Sequence, residues 1–115
     1  VIYDPFAIVV VSFPFTDSSD AKRRPALVVS SKSHQLHSGH TTMCMITSAK
    51  HSRWPDDHEI IELKAAGLKA TCVVRQKIFT LDSRLIIETI GQLAKPDRQK
   101  VSLKLTAHLE GSIRF

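Results

Sequence analysis

Two short stretches carry side chains suited to holding or breaking a phosphate ester. The first is Lys22-Arg23-Arg24-Pro25, three consecutive cations set against a proline and the apolar run 26–29. A guanidinium is always charged and offers a rigid fork of donors that matches two oxygens of a phosphate. Pro25 restricts the residue before it to extended backbone. Arg24 is therefore expected at the first step of a strand, with Lys22 and Arg23 in the loop before it. The second stretch is Ile46-Thr47-Ser48-Ala49, where two hydroxyls follow directly on an apolar run. They could donate to a phosphate or orient a nucleophile. Each stretch also has a plainer reading: cations at strand ends blunt sheet edges, and hydroxyls there cap turns.

Other reactive residue types weigh less. His34, His37 and His40 are spaced by three, but no Cys or carboxylate pattern accompanies them, so surface histidines in a polar loop are expected and no metal site. Trp54, before Pro55, reads as a loop anchor, with stacking on a base as the alternative. Asp56 and Asp57 read as a solvated loop end. Cys44 and Cys72 sit among apolar or β-branched neighbours and read as small buried hydrophobes rather than a disulfide.

The elements that must position these residues are short and mostly extended. The chain has 115 residues, with 43% hydrophobic, and is expected to form a single domain over 1–115. Residues 7–13 and 25–31 read as buried strands, separated by a long loop over 14–24. The polar segment 32–40 reads as a loop or short helical turn, 41–47 as a strand, 58–63 as a short strand, and 64–68 as a turn around Gly67. Two further β-rich segments, 71–81 and 84–93, flank the turn residues Asp82 and Ser83. Val101, Leu105 and Leu109 fall on one helical face, so a core-packed C-terminal helix is expected, opening near Pro96 and Asp97 with Lys95 at the cap. Many short strands and one helix, with no βαβ alternation, point to a mostly β (α+β) fold: a small antiparallel barrel or half-barrel.

Charge narrows the partners. Sixteen Lys and Arg against eleven Asp and Glu give a net charge of +5, which favours an anionic partner such as nucleic acid. No apolar run is long enough to span a bilayer, and residues 1–10 lack the features of a signal peptide. A cytoplasmic protein with no membrane partner is expected.

Taken in order, "VVVSFPFTD" (9–17), "KRRPALVVSS" (22–31), "MITSA" (45–49), "AGLKATCVVRQKIFTLD" (66–82) and "RLIIETIGQL" (84–93) resemble the MazF/PemK family of toxins from bacterial toxin–antitoxin pairs. The resemblance implies a dimeric, SH3-like β-barrel with a C-terminal helix and short helical turns. It further implies a ribonuclease needing no metal and no cofactor. Such enzymes cut single-stranded RNA by attack of the 2′-hydroxyl on the adjacent phosphate, leaving a 2′,3′-cyclic phosphate and a 5′-hydroxyl. By position, the family's catalytic arginine falls on Arg24 and its catalytic threonine on Thr47. The RNA is expected to run along Phe15, Thr16, Asp17, Lys22 and Arg23, with Ser48 and Lys77 beside the reacting phosphate. The expected partners are a short acidic antitoxin, a second copy of the chain, and operator DNA through the antitoxin complex. Relatives commonly carry an acid where this chain has Ala7, and often where it has Gln76. Two alternatives are a non-enzymatic barrel that binds a protein target, as the gyrase-poisoning CcdB relatives do, and a catalytically degenerate barrel that binds only antitoxin or DNA.

Overall fold

The computed structural model describes residues 1–13, 22–50 and 53–113. Along the chain run β1 (Ala7–Phe13), β2 (Lys22–Val28), α1 (Lys32–Ser38), β3 (His40–Ser48), β4 (His58–Glu59), α2 (Leu63–Ala66), β5 (Cys72–Asp82), a 3-10 turn (Ser83–Leu85), β6 (Ile86–Gln92) and α3 (Lys95–Ile113). The strands form one sheet in the order β4-β5-β3-β2-β1-β6, and every neighbouring pair is antiparallel. This is the mostly β, SH3-like arrangement with a C-terminal helix that the sequence implies. Among the described residues it stays open, with β4 and β6 as its edges.

Alternation along the strands builds two cores, because successive side chains point to opposite faces. Val9, Val11 and Phe13 of β1 join Ala26, Val28, Met43, Leu81 and Ile86 on one face, where the Phe13 and Phe79 rings meet at 5.0 Å. Ile8, Leu27, Cys44, Ile46 and Val74 line the other, under Ala66 of α2 and Val101 of α3. Cys44 is fully buried there, and burial pushes its thiol up to about 11. The chain's β-branched runs thus serve a sheet covered on both sides.

Several local expectations need correction. β2 begins at Lys22 rather than at the proline, because Lys22, Arg23 and Arg24 pair with Phe13, Ser12 and Val11 of β1. The ladder to β3 starts only at Ala26, one residue past Pro25, which has no N–H to donate. After the two residues of β4, Ile60 still donates to the Cys72 carbonyl of β5 at 3.0 Å, and the chain then leaves the sheet as Ile61 and Glu62 donate to the Asp97 carboxylate at 2.8 and 3.0 Å. The turn at 64–68 is the single helical turn α2, closed by Gly67 in the left-handed region (φ 73°). Gly67 and Gly91 are where α2 and β6 touch, and a Cβ on either would overlap backbone of the other element.

α3 starts one residue earlier than expected, with Arg98 donating to the Ala94 carbonyl at 2.9 Å. Only its first half is core. Val101 is fully buried and Leu105 partly so, whereas Leu109 is 48% exposed because the helix runs past the sheet. Asp97 is therefore more than a complement to the helix dipole. Its fully buried carboxylate also accepts from the His58 ring at 2.6 Å, and so joins α3 to β4 and to the entry of α2. Burial alone would raise this carboxyl, but the two backbone N–H groups and the His58 ring outweigh it and hold it below its ordinary value of 3.8.

Replacing Asp97 by Ala would strand two backbone donors and a histidine, and is expected to cost about 3–5 kcal/mol in urea unfolding at neutral pH. A group with a depressed folded pKa stabilises above its unfolded pKa and loses that contribution as pH falls through the folded value. The stability gap between wild type and Asp97→Asn should therefore be full above about pH 4 and close as the solution is acidified further. A gap that is independent of pH would contradict the assignment.

Candidate active site

The register of β2 decides which groups can act together. Ala26 pairs with Met45, Leu27 with Cys44 and Val28 with Met43. Carried two residues on in the same frame, this register sets Arg24 opposite Thr47, at the end of β3. Parity puts both on the face of Val11 and Met43. Directly opposed residues in an antiparallel pair stand roughly 5 Å apart at Cβ. Arg24 is exposed and makes no ion pair among the described residues, whereas Thr47 is half-buried. The Arg24 guanidinium is thus open to water in the isolated chain.

The other expected residues distribute around this pair. Lys22 and Arg23 are exposed on the same strand as Arg24, one step further out, in the ladder and not in a loop. Ser48 ends β3 and accepts from the Lys50 N–H at 3.2 Å, so it also serves as a turn cap. Lys77 is exposed on a bulge of β5: Cys44 pairs with Ile78 and Met45 with Arg75, leaving Gln76 and Lys77 without partners on β3. Gln76 points away from this chemistry. It is buried and its Oε1 meets the His108 ring of α3 at 3.2 Å. Ala7 is buried in the first core, where a carboxylate would lie among apolar side chains. Phe15, Thr16 and Asp17 lie outside the described residues.

Beyond Thr47 stands a group that sequence reasoning missed. Arg75, cross-strand from Met45, is buried and grips the Asp57 carboxylate through two nitrogens, Nε at 3.2 Å and an Nη at 3.0 Å. Asp57 also accepts from the Trp54 N–H at 2.9 Å, and the Arg75 guanidinium lies 5.0 Å from the Trp54 ring centre. Residues 54–57 form a turn closed by the Asp57 N–H on the Trp54 carbonyl, with Pro55 second and Asp56 at φ 67° third. That is the pattern of a type II turn. Asp57 is thus no solvated loop end. Burial would raise its carboxyl, but hydrogen bonds from Arg75 and Trp54 and the charges of Arg75 and Arg53 hold it below its ordinary value. The available sequence signal was Trp-Pro-Asp-Asp as a turn with a lone Arg in a buried strand.

The start of β2, with exposed Lys22, Arg23 and Arg24, and the end of β3, with Thr47 and Ser48, lie at one end of the antiparallel sheet; exposed Lys50, Arg53 and Trp54 follow β3 in the chain. The chemical capacity of this end of the sheet is to bind an extended anion and concentrate donors on one point of it. No group of three or more His, Cys, Asp or Glu side chains could hold a metal among the described residues. His37 and His40 each place Nδ1 on a backbone oxygen, of Ser33 and Ser38, at 2.8 and 2.9 Å. No described helix is long and apolar enough to cross a membrane.

Comparison with known proteins fits this geometry. A family model described as the PemK-like, MazF-like toxin of type II toxin–antitoxin systems matches residues 4–109. No curated protein matches the chain significantly. Among solved structures, a MazE–MazF complex from Deinococcus radiodurans superposes with a TM-score of 0.74 at 23% identity, covering 96% of this chain and 98% of that one. An endoribonuclease from a mycobacterial species, solved with its cognate antitoxin, gives 0.72 at 14% identity, covering 95% and 94%. The Mycobacterium tuberculosis toxin MazF-mt6 gives 0.71 at 16% identity, covering 90% and 96%. At these identities the structural likeness establishes the fold.

The Arg75–Asp57 pair should behave as a buried one, since both side chains are 7% exposed. Removing one partner of such a pair leaves the other charge uncompensated, so Arg75→Met should lower the unfolding free energy by about 3 kcal/mol, the lower end of the usual range. The double variant Arg75→Met with Asp57→Leu should recover much of that loss. Equal stability of the single variant and the wild type in urea titrations would refute the pairing.

Proposed function

Because the chain belongs to the PemK-like, MazF-like toxins of type II toxin–antitoxin systems, we propose that it is an endoribonuclease that cuts single-stranded RNA without a metal and is silenced by a cognate antitoxin. The observation that supports this reading is the β2–β3 register, whose last pair is Ala26 with Met45; continued two residues on, it would oppose Arg24 to Thr47 where β2 carries three exposed cations.

In the proposed reaction the RNA 2′-oxygen attacks the adjacent phosphorus and the bond from phosphorus to the 5′-oxygen breaks. The 2′-hydroxyl loses its proton and the departing 5′-oxygen gains one. The ends are a 2′,3′-cyclic phosphate and a 5′-hydroxyl. Negative charge builds on the non-bridging oxygens as phosphorus becomes five-coordinate, and preformed donors aimed there lower the barrier. Arg24 supplies a charged fork to these oxygens and Thr47 a hydroxyl donor to one of them. Bound RNA would exclude water from Arg24, which is exposed in the chain alone. In this reading Arg24 would also deliver the proton to the leaving oxygen, a demanding role for so weak an acid. Asp57 is unsuited as the general base, because Arg75 and the Trp54 N–H occupy its carboxylate.

Lys22 and Arg23 hold backbone phosphates, which fix register without reading sequence. Phe15, Thr16 and Asp17 complete the RNA path, with Ser48 and Lys77 flanking the reacting phosphate. An acidic antitoxin segment would fold onto the same cations and compete with RNA; structural relatives solved with antitoxins support such a partner. We take the active form to be a homodimer of this single domain, which meets operator DNA through the antitoxin complex.

Incubation with a long single-stranded RNA in EDTA should give discrete cuts with cyclic-phosphate and 5′-hydroxyl ends. Arg24→Ala and Thr47→Ala should each lower the cleavage rate by ~10²–10³ while leaving the fold intact by circular dichroism. Intact RNA after incubation with folded wild-type protein would sink the proposal.

A further inference from the structure

We propose that Trp54 is a nucleobase platform: a stacking subsite, held rigid by Arg75 and Asp57, for a base of the RNA strand that passes Arg24 and Thr47. The inference rests on the reading that this end of the sheet binds RNA, and adds to it a specific contact remote from the reacting phosphate.

Three observations carry it. The first is exposure against burial. Trp54 is 42% exposed, although the arginine beneath it is buried, so the ring is presented rather than packed away. The second is rigidity. One side of the ring is taken by the Arg75 guanidinium at 5.0 Å, and the backbone beside the ring is closed into a turn by the Asp57 carboxylate and N–H. A stacking surface that is already fixed loses little entropy when a base lands on it. The third is position. Met45 and Arg75 are cross-strand partners, and Thr47 and Val73 form the next pair on the same face. Trp54 therefore lies at the β4 side of the sheet, across from Arg24 on β2. With strands about 4.8 Å apart, three steps across the sheet span roughly 14 Å, the reach of a short stretch of extended single strand.

The electrostatics favour a base over an apolar peptide side chain. Arg53, exposed and adjacent to Trp54 in the chain, supplies a cation for the phosphate of a stacked nucleotide. Stacking tolerates any base, because every base has a π-face. The platform would therefore hold strands in place without dictating sequence. Arg75 and Asp57 act here as positioning residues, since they touch the ring and its turn and not the RNA.

Trp54 is the chain's only tryptophan, so intrinsic fluorescence reports on this site alone. A short, mixed-sequence RNA, 2′-O-methylated throughout to prevent cutting and labelled at one end, would be titrated with the protein. Anisotropy of the label reads binding, and tryptophan emission reads stacking. The expected result is quenching that follows the anisotropy curve, and binding by Trp54→Ala weakened roughly 5- to 150-fold. Trp54→Phe should retain most of the affinity, and all variants should melt within a few degrees of wild type. Unchanged emission at saturating RNA, wild-type affinity of Trp54→Ala, or no RNA binding at all would each overturn the platform. Cleavage of unmodified RNA is scored separately. Quenching without any cleavage would leave the platform standing and remove the ribonuclease reading, whereas cleavage with unchanged emission would remove only the platform.

Discussion

The frame in which β2 lies between β1 and β3 is the constraint on which the site depends. A shift of one residue would send Arg24 to the opposite face, since side chains alternate with a period of two. The frame is held from both sides. Val11 and Val9 on one face and Ile8 on the other oppose Arg24, Ala26 and Leu27, and each of these valines and the isoleucine is fully buried. Ala26, Leu27 and Val28 are likewise fully buried, so a slip would push large apolar side chains out of one core and overfill the other. The cations at the strand's outer end inherit a position enforced by the apolar residues behind them.

Two buried carboxylates do comparable work at the far side of the sheet. Asp97 holds the chain just past β4 by accepting from the backbone donors of Ile61 and Glu62. Asp57 pins the turn just before β4 to Arg75. Lys104 of α3 adds a third tie, donating to the Asp57 carbonyl at 3.1 Å. A strand only two residues long would be marginal by itself. It persists because its two ends are held by charge-assisted hydrogen bonds.

These particulars explain what could be read from the chain beforehand. The runs 7–13, 26–29 and 71–81 announce strands because β-branched residues crowd them, and Pro25 correctly marks Arg24 as extended. The start of β2 was hidden, because Lys22 and Arg23 look like loop residues until Ser12 and Phe13 are seen opposite them. Asp57 and Asp97 look like ordinary surface acids, since burial with a distant partner leaves no local pattern: their partners lie 18 and 39 residues away. The bulge that frees Lys77 and Gln76 is equally silent, for it is a difference between two strands and belongs to neither sequence alone. Leu109 was expected in the core because helical period shows which face is apolar, not how far the sheet beneath it extends.

The central claim is that Arg24 and Thr47 act on one phosphate. It is tested most directly by a double-mutant cycle on kcat/KM for RNA cleavage, with Arg24→Ala, Thr47→Ala and both together. Groups that serve a single transition state are strongly non-additive. The account predicts that the double variant falls within roughly tenfold of the worse single variant. Losses that multiply in full, as they do for distant and independent sites, would contradict it.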